Sequence, residues 1–123
     1  HQFDGLGLEF GPNLKGWGQS RSSEEIARAI IHPSAGIAHG YESQVITLEP
    51  KGEERKGFWR INGIITSESD PLTIRSAGGL VQQVPSHEIH YIQPGRASLM
   101  LSAHQMGMTE QDVADVVAYL KSY

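Results

Sequence analysis

The chain has 123 residues, 10 Lys and Arg against 14 Asp and Glu for a formal net charge of −4, and no cysteine. One domain with room for a real core is what that length allows. The lack of basic runs argues against nucleic acid or an anionic membrane surface as partner, and the missing thiols exclude disulfides, thiolate zinc sites and cysteine nucleophiles. No apolar run is long enough to span a bilayer, and the start carries no signal-peptide pattern. Fourteen glycines beside 7% aromatic residues indicate a loop-rich protein.

Residues 1–14 form a glycine-containing loop that opens on His1 and closes on Gly11-Pro12-Asn13-Leu14. Gly16-Trp17-Gly18 continues it, with Trp17 either a core residue or a wall for a flat cofactor. Ser22-Ser23-Glu24-Glu25 is a capping box that opens a short helix. Ile26, Ala29 and Ile30 are its expected buried face. His32-Pro33 ends it, because the residue before proline avoids the helical region, and His32 complements the dipole of the last turn. Residues 33–41 are a turn-rich connector.

Residues 41–93 are a different kind of sequence, dense in β-formers. Strands are expected at 41–48, at 58–66 with a bulge at Gly63, at 72–74, at 80–84 and at 88–92. Glu49-Pro50-Lys51-Gly52-Glu53-Glu54 is a polar hairpin tip, Asp70-Pro71 a turn, and Gly78-Gly79 a tight hairpin. Five short strands with tight turns predict a small antiparallel sheet or partly closed barrel. His87 and His90 flank Glu88-Ile89; on a strand they point to opposite faces and make no zinc pair.

The stretch 98–120 is a methionine-bearing loop that runs into the best-defined helix of the chain. Thr109 is its N-cap, with Asp112 at the third helical position in a near-variant of the capping box. Glu110 and Asp112 put negative charge in the first turn. Val113, Val116, Val117 and Leu120 recur at i, i+3, i+4 and i+7 and form one apolar stripe. No Gly-x-Gly-x-x-Gly, P-loop or ordered Ser-His-Asp set stands out.

The ending Val116-Val117-Ala118-Tyr119-Leu120-Lys121 resembles the last helix of class I c-type cytochromes. The spacing from His1 to Gly11-Pro12-Asn13-Leu14 resembles the loop that follows the histidine of their Cys-x-x-Cys-His motif. Residues 32–41, His-Pro-Ser-Ala-Gly-Ile-Ala-His-Gly-Tyr, narrow the likeness. They resemble the cytochrome c-like haem-binding domain at the C-terminal end of large membrane-associated dehydrogenase-like proteins of planctomycetes and verrucomicrobia. The likeness spans nearly the whole chain, although its motifs are individually short.

The resemblance implies an α+β fold, a single cytochrome c-like domain over 1–123 with an antiparallel β insertion at 41–93. It implies a monohaem electron-transfer module, not itself an enzyme, lying in the periplasm or otherwise outside the cytoplasm and fed by an attached or partner dehydrogenase. His1 would be the proximal iron ligand and Met100 the distal one. The family usually has proline after this methionine, whereas Leu101 follows here. Met106, Met108 and His104 are the rivals in the loop, with Met108 expected to pack under the helix. The Pro12 carbonyl would accept a hydrogen bond from the other ring nitrogen of His1. Leu14, Trp17, Ile37, Tyr41 and Leu99 would line the haem. The cofactor is haem c, attached covalently only if Cys-x-x-Cys lies upstream of His1. An expression tag is the competing origin of His1, and the loop spacing favours a native residue. The final helix would lack part of its cover and self-associate through 110–121. The alternative function is a haem-free protein-binding module whose β insertion is the interaction surface.

Overall fold

The computed structural model describes residues 1–123. It is a mixed α+β structure with two α-helices, a five-stranded antiparallel sheet and a two-stranded one. The chain divides into two compact units: His1–Tyr41 with Met100–Tyr123, and Glu42–Leu99. No helix is long and apolar enough to cross a membrane.

In the first unit, β1 (Gln2–Phe3) and β2 (Leu6–Gly7) make a small hairpin. Its turn is Asp4-Gly5, both at positive φ, the conformation that an Asp-Gly hairpin turn requires. Helix α1 (Ser23–Ile31) begins with the expected reciprocal box between Ser22 and Glu25 and stops at His32, whose N–H donates to the Arg28 carbonyl. Helix α2 (Glu110–Ser122) has a complete capping box between Thr109 and Asp112.

The two helices bury Ile26 and Ile30 of α1 against Val113, Val117 and Leu120 of α2, with Ala103 between. Burying side chains of this size stabilises by roughly 1.5–3 kcal/mol each. Ala27, not Ala29, is the alanine packed on this core, because Ala27 adjoins Ile26 and Ile30 on the inward side.

The expectation that α2 lacks cover is corrected for Val113, Val117 and Leu120, while Tyr119 stays 50% exposed. Val113, Val117 and Leu120 are buried by the chain's own α1, and Tyr119 meets the ring of Phe3 at 5.3 Å, with Tyr123 4.8 Å away. The N-terminal loop is fastened to the end of α2 as well. Gly16 N–H donates to the Tyr123 carbonyl at 3.2 Å, and Lys121 Nζ donates to the Arg21 carbonyl at 2.6 Å.

The second unit contains β3 (Gln44–Leu48), β4 (Trp59–Ser67), β5 (Leu72–Arg75), β6 (Val81–Val84) and β7 (Ile89–Pro94). Their order in the sheet is β6-β5-β4-β3-β7, all antiparallel. Strand β4 is long because it serves two partners: residues up to Gly63 pair with β3, and those from Ile64 onward pair with β5. Ile46, Leu48, Leu72, Ile74 and Val84 form the core, with Ile61, Ile65 and Ile89 against it. The spacing by two within β3 and β5 is the strand period.

Three sequence expectations shift here. Strand β3 starts at Gln44 rather than Tyr41, and β7 runs from Ile89 to Pro94. Gly63 is in regular register opposite Gln44; the irregularity falls between Ile65 and Ser67. Gly63 is needed for another reason: a Cβ there would press into the Arg75 carbonyl and the Ile74 side chain. The Gly78-Gly79 hairpin is wider than two residues, because Arg75 pairs with Val81 and Ser76 N–H closes the loop on the Leu80 carbonyl.

Candidate functional site

His1 is exposed, and its Nδ1 lies 2.8 Å from the Pro12 carbonyl. A carbonyl only accepts, so Nδ1 carries the proton. In the neutral ring Nε2 then holds the lone pair that a metal would use. The loop geometry that makes this bond is held at several points. Leu14 N–H donates to the Gln2 carbonyl at 2.9 Å, and Lys15 Nζ pairs with Asp4 at 2.7 Å. Hydrogen bonding to Asp4, then its charge, raises the Lys15 pKa. Gly11 lies so close to the His1 ring that a Cβ would collide with Nδ1. Glycine at that position lets the imidazole reach the next carbonyl.

Leu14 and Trp17 pack on the helical core, and the Arg21 guanidinium sits 4.8 Å over the Trp17 ring. Pro12, Ile37, Tyr41 and Met100 are half-buried and are not among the side chains on that core. Leu99, also half-buried, is the last residue of the β unit. Within the methionine loop, Met108 packs under α2 as its position before the cap suggested. Met106 is 47% exposed and His104 is exposed. The loop is braced by Ala103 N–H on the Ile30 carbonyl at 2.9 Å, and by Ser102 and Gln105 bonded reciprocally.

Elsewhere, His90 Nδ1 lies 2.9 Å from Glu49 Oε1, while His87 belongs to the short 3-10 turn before β7. From sequence, Phe58, Trp59, Arg60 and Tyr91 carry only a strand reading. In the structure they line a groove of about 880 Å³ in the β unit. Three large side chains in succession at a strand start were the available signal.

Compared with known proteins, the chain matches no family model and no curated protein.

Proposed function

We propose that this chain is a cytochrome c-like haem-binding, electron-transfer domain. The observation that carries the reading is the His1 Nδ1–Pro12 carbonyl bond of 2.8 Å. A metal-ligating histidine almost always donates its other ring nitrogen to a carbonyl or carboxylate, which fixes its tautomer and orientation. An imidazole nitrogen and a thioether sulfur are also a suitable axial pair for haem iron, and His1 and Met100 offer them. Leu6 of β2 and Leu8, Leu101 and Met106 of the loops are large apolar side chains exposed on this unit, and a broad apolar cofactor would give such side chains a surface to cover.

When bound, the haem would supply a one-electron iron couple. His1 would ligate through Nε2, held by Pro12. Met100 would offer its sulfur to the iron, and Leu14, Trp17, Ile37 and Tyr41 would limit access of water. Covalent attachment would need cysteines outside this stretch, since the sequence has none. A dehydrogenase outside the cytoplasm would be the electron donor.

The test is the absorption spectrum of the full-length native protein. A Soret band with sharp visible bands on reduction is expected, and His1→Ala should remove or shift them. A colourless native protein overturns the reading.

A further inference from the structure

The β unit carries chemistry that electron transfer does not use. Its groove of about 880 Å³ lies wholly within 47–91, and a cavity of this size suits a small ligand. Phe58 is 57%, Trp59 55% and Tyr91 42% exposed. The rings of Phe58 and Tyr91 both contact His90, and aromatic side chains seldom stay this open in such a cluster without a binding role.

The ladder registers order the polar groups. Thr47 is directly opposite Arg60 on β4 and directly opposite Tyr91 on β7. Opposed residues share a face of a sheet, so Arg60, Thr47 and Tyr91 form one row across three strands. With neighbouring strands about 4.8 Å apart, the backbone positions of Arg60 and Tyr91 stand roughly 10 Å from each other. Phe58, two residues before Arg60, stacks with His90 at 4.8 Å beside this row.

The charges in the groove are unevenly matched. Glu88 also lines it, but Lys51 Nζ holds that carboxylate at 2.7 Å, and Glu49 is held by His90. Arg55 is pinned by its own Nη1 on the Glu49 carbonyl at 2.7 Å, with the guanidinium 5.4 Å over the Trp59 ring. Arg60 is exposed and makes no ion pair. Among the groove residues, Arg55 Nε and the hydroxyl of Thr47, a residue only 3% exposed, have no hydrogen-bond partner, while Glu88 Oε1 has only its ion pair with Lys51. Buried polar groups are nearly always paired, so an unpaired pair at one groove asks for an acceptor.

From this arrangement we infer that the groove binds a small ring-bearing carboxylate. Arg60 takes the carboxylate, since a guanidinium matches carboxylate geometry in a two-pronged bond. The ring lies along the row towards Tyr91 and Phe58, over Thr47. Two sources share this chemistry: a uronic acid unit of an acidic polysaccharide, and a free aromatic acid. The inference does not depend on haem.

Calorimetric titration of the 123-residue chain at low salt tests it, with an oligogalacturonate, benzoate and a neutral glucose oligomer as probes. Saturable binding of at least one carboxylate is expected, with the neutral oligomer weaker by about tenfold or more. Oligogalacturonate alone identifies the acidic sugar, and benzoate alone the aromatic acid. Arg60→Ala and Arg60→Gln should each lower the affinity by about tenfold, Arg60→Lys by less, because its charge is kept and only the fork is lost. Leu80→Ala, an exposed loop residue outside the groove, should leave binding unchanged. Arg60 is exposed, so its variants should keep the parent circular dichroism and melting. Failure of both carboxylates to bind the unmodified chain overturns the inference. So does equal binding by folded Arg60→Ala, or by the neutral oligomer.

Discussion

Ser43 and Ala97 join the two ends of the β unit: Ser43 Oγ donates to the Ala97 carbonyl at 2.8 Å. Gly95 N–H returns a bond to the Ser43 carbonyl at 2.9 Å. Ser43 is buried, and a side chain at position 95 would run into its hydroxyl. The pair therefore works as a clasp that requires a small hydroxyl on one side and glycine on the other.

Ser43→Ala should destabilise the β unit by about 0.5–1.5 kcal/mol, the net worth of a typical hydrogen bond, because Ala97 is exposed and its carbonyl can turn to water. Urea unfolding followed by Trp59 fluorescence in a Trp17→Phe background would measure it. An unchanged midpoint would mean that water replaces the hydroxyl at no cost.

Gly63→Ala should be harmful despite the regular register at that position. Its methyl group would enter the space of the Arg75 carbonyl and Ile74, where β4 passes from one partner to the next. Overpacking of this kind costs about 1–3 kcal/mol. A thermal melt should show the loss, and a neutral result would show that β5 can shift away.

The two helix caps predict acid sensitivity. The Ser22 N–H lowers the Glu25 pKa and the Thr109 N–H lowers that of Asp112; both N–H groups donate to the carboxylates. Asp70, accepting from Ser86 N–H, and Glu88, held by Lys51, are lowered too. Depressed values in the folded state mean that the unfolded chain binds more protons in mild acid. Their contribution is complete above the ordinary carboxylate range and disappears as pH falls through it to the depressed values. Melting temperature should therefore drop over that interval. Thr109→Ala should cost about 1 kcal/mol at neutral pH and flatten the acid slope; a slope identical to the parent's would show that the Asp112 cap does not contribute.

In the haem-loaded protein, Met100→Ala should remove the weak sulfur-to-iron band at the red end of the spectrum and lower the reduction potential. Met106→Ala should leave both in place. The reverse result would move the distal ligand six residues along the loop.

Both helices were legible because their signals are local. Ser22 with Glu25 and Thr109 with Asp112 announce the caps, and the stripe from Val113 to Leu120 shows the buried face. The strand region was legible by composition, though not in its details. Gly63 reads as a bulge, whereas a crossing of β5 explains it, and no local pattern contains that contact. The cover of α2 was missed for the same reason: Ile26, Ile30 and Phe3 lie far from it in sequence. In the candidate site, the His1–Pro12 contact was anticipated only through resemblance to a family. The row of Arg60, Thr47 and Tyr91 depends on strand register, which short alternating segments specify poorly.

The clasp at Ser43 also bears on how the first unit forms. Helices α1 and α2 must meet across the whole intervening sequence Glu42–Leu99. Once the sheet has formed, Ser43 and Ala97 are neighbours, and the effective tether between the helices shrinks to the short flanking segments. Loop-closure entropy varies as the logarithm of length, so shortening the tether about threefold, to residues 32–42 and 98–109, lowers the cost of the helix encounter by roughly 1 kcal/mol. The β unit thus acts on the helical pair as a preformed cross-link, and disrupting Ser43 should slow the docking of α2 even though neither helix is altered.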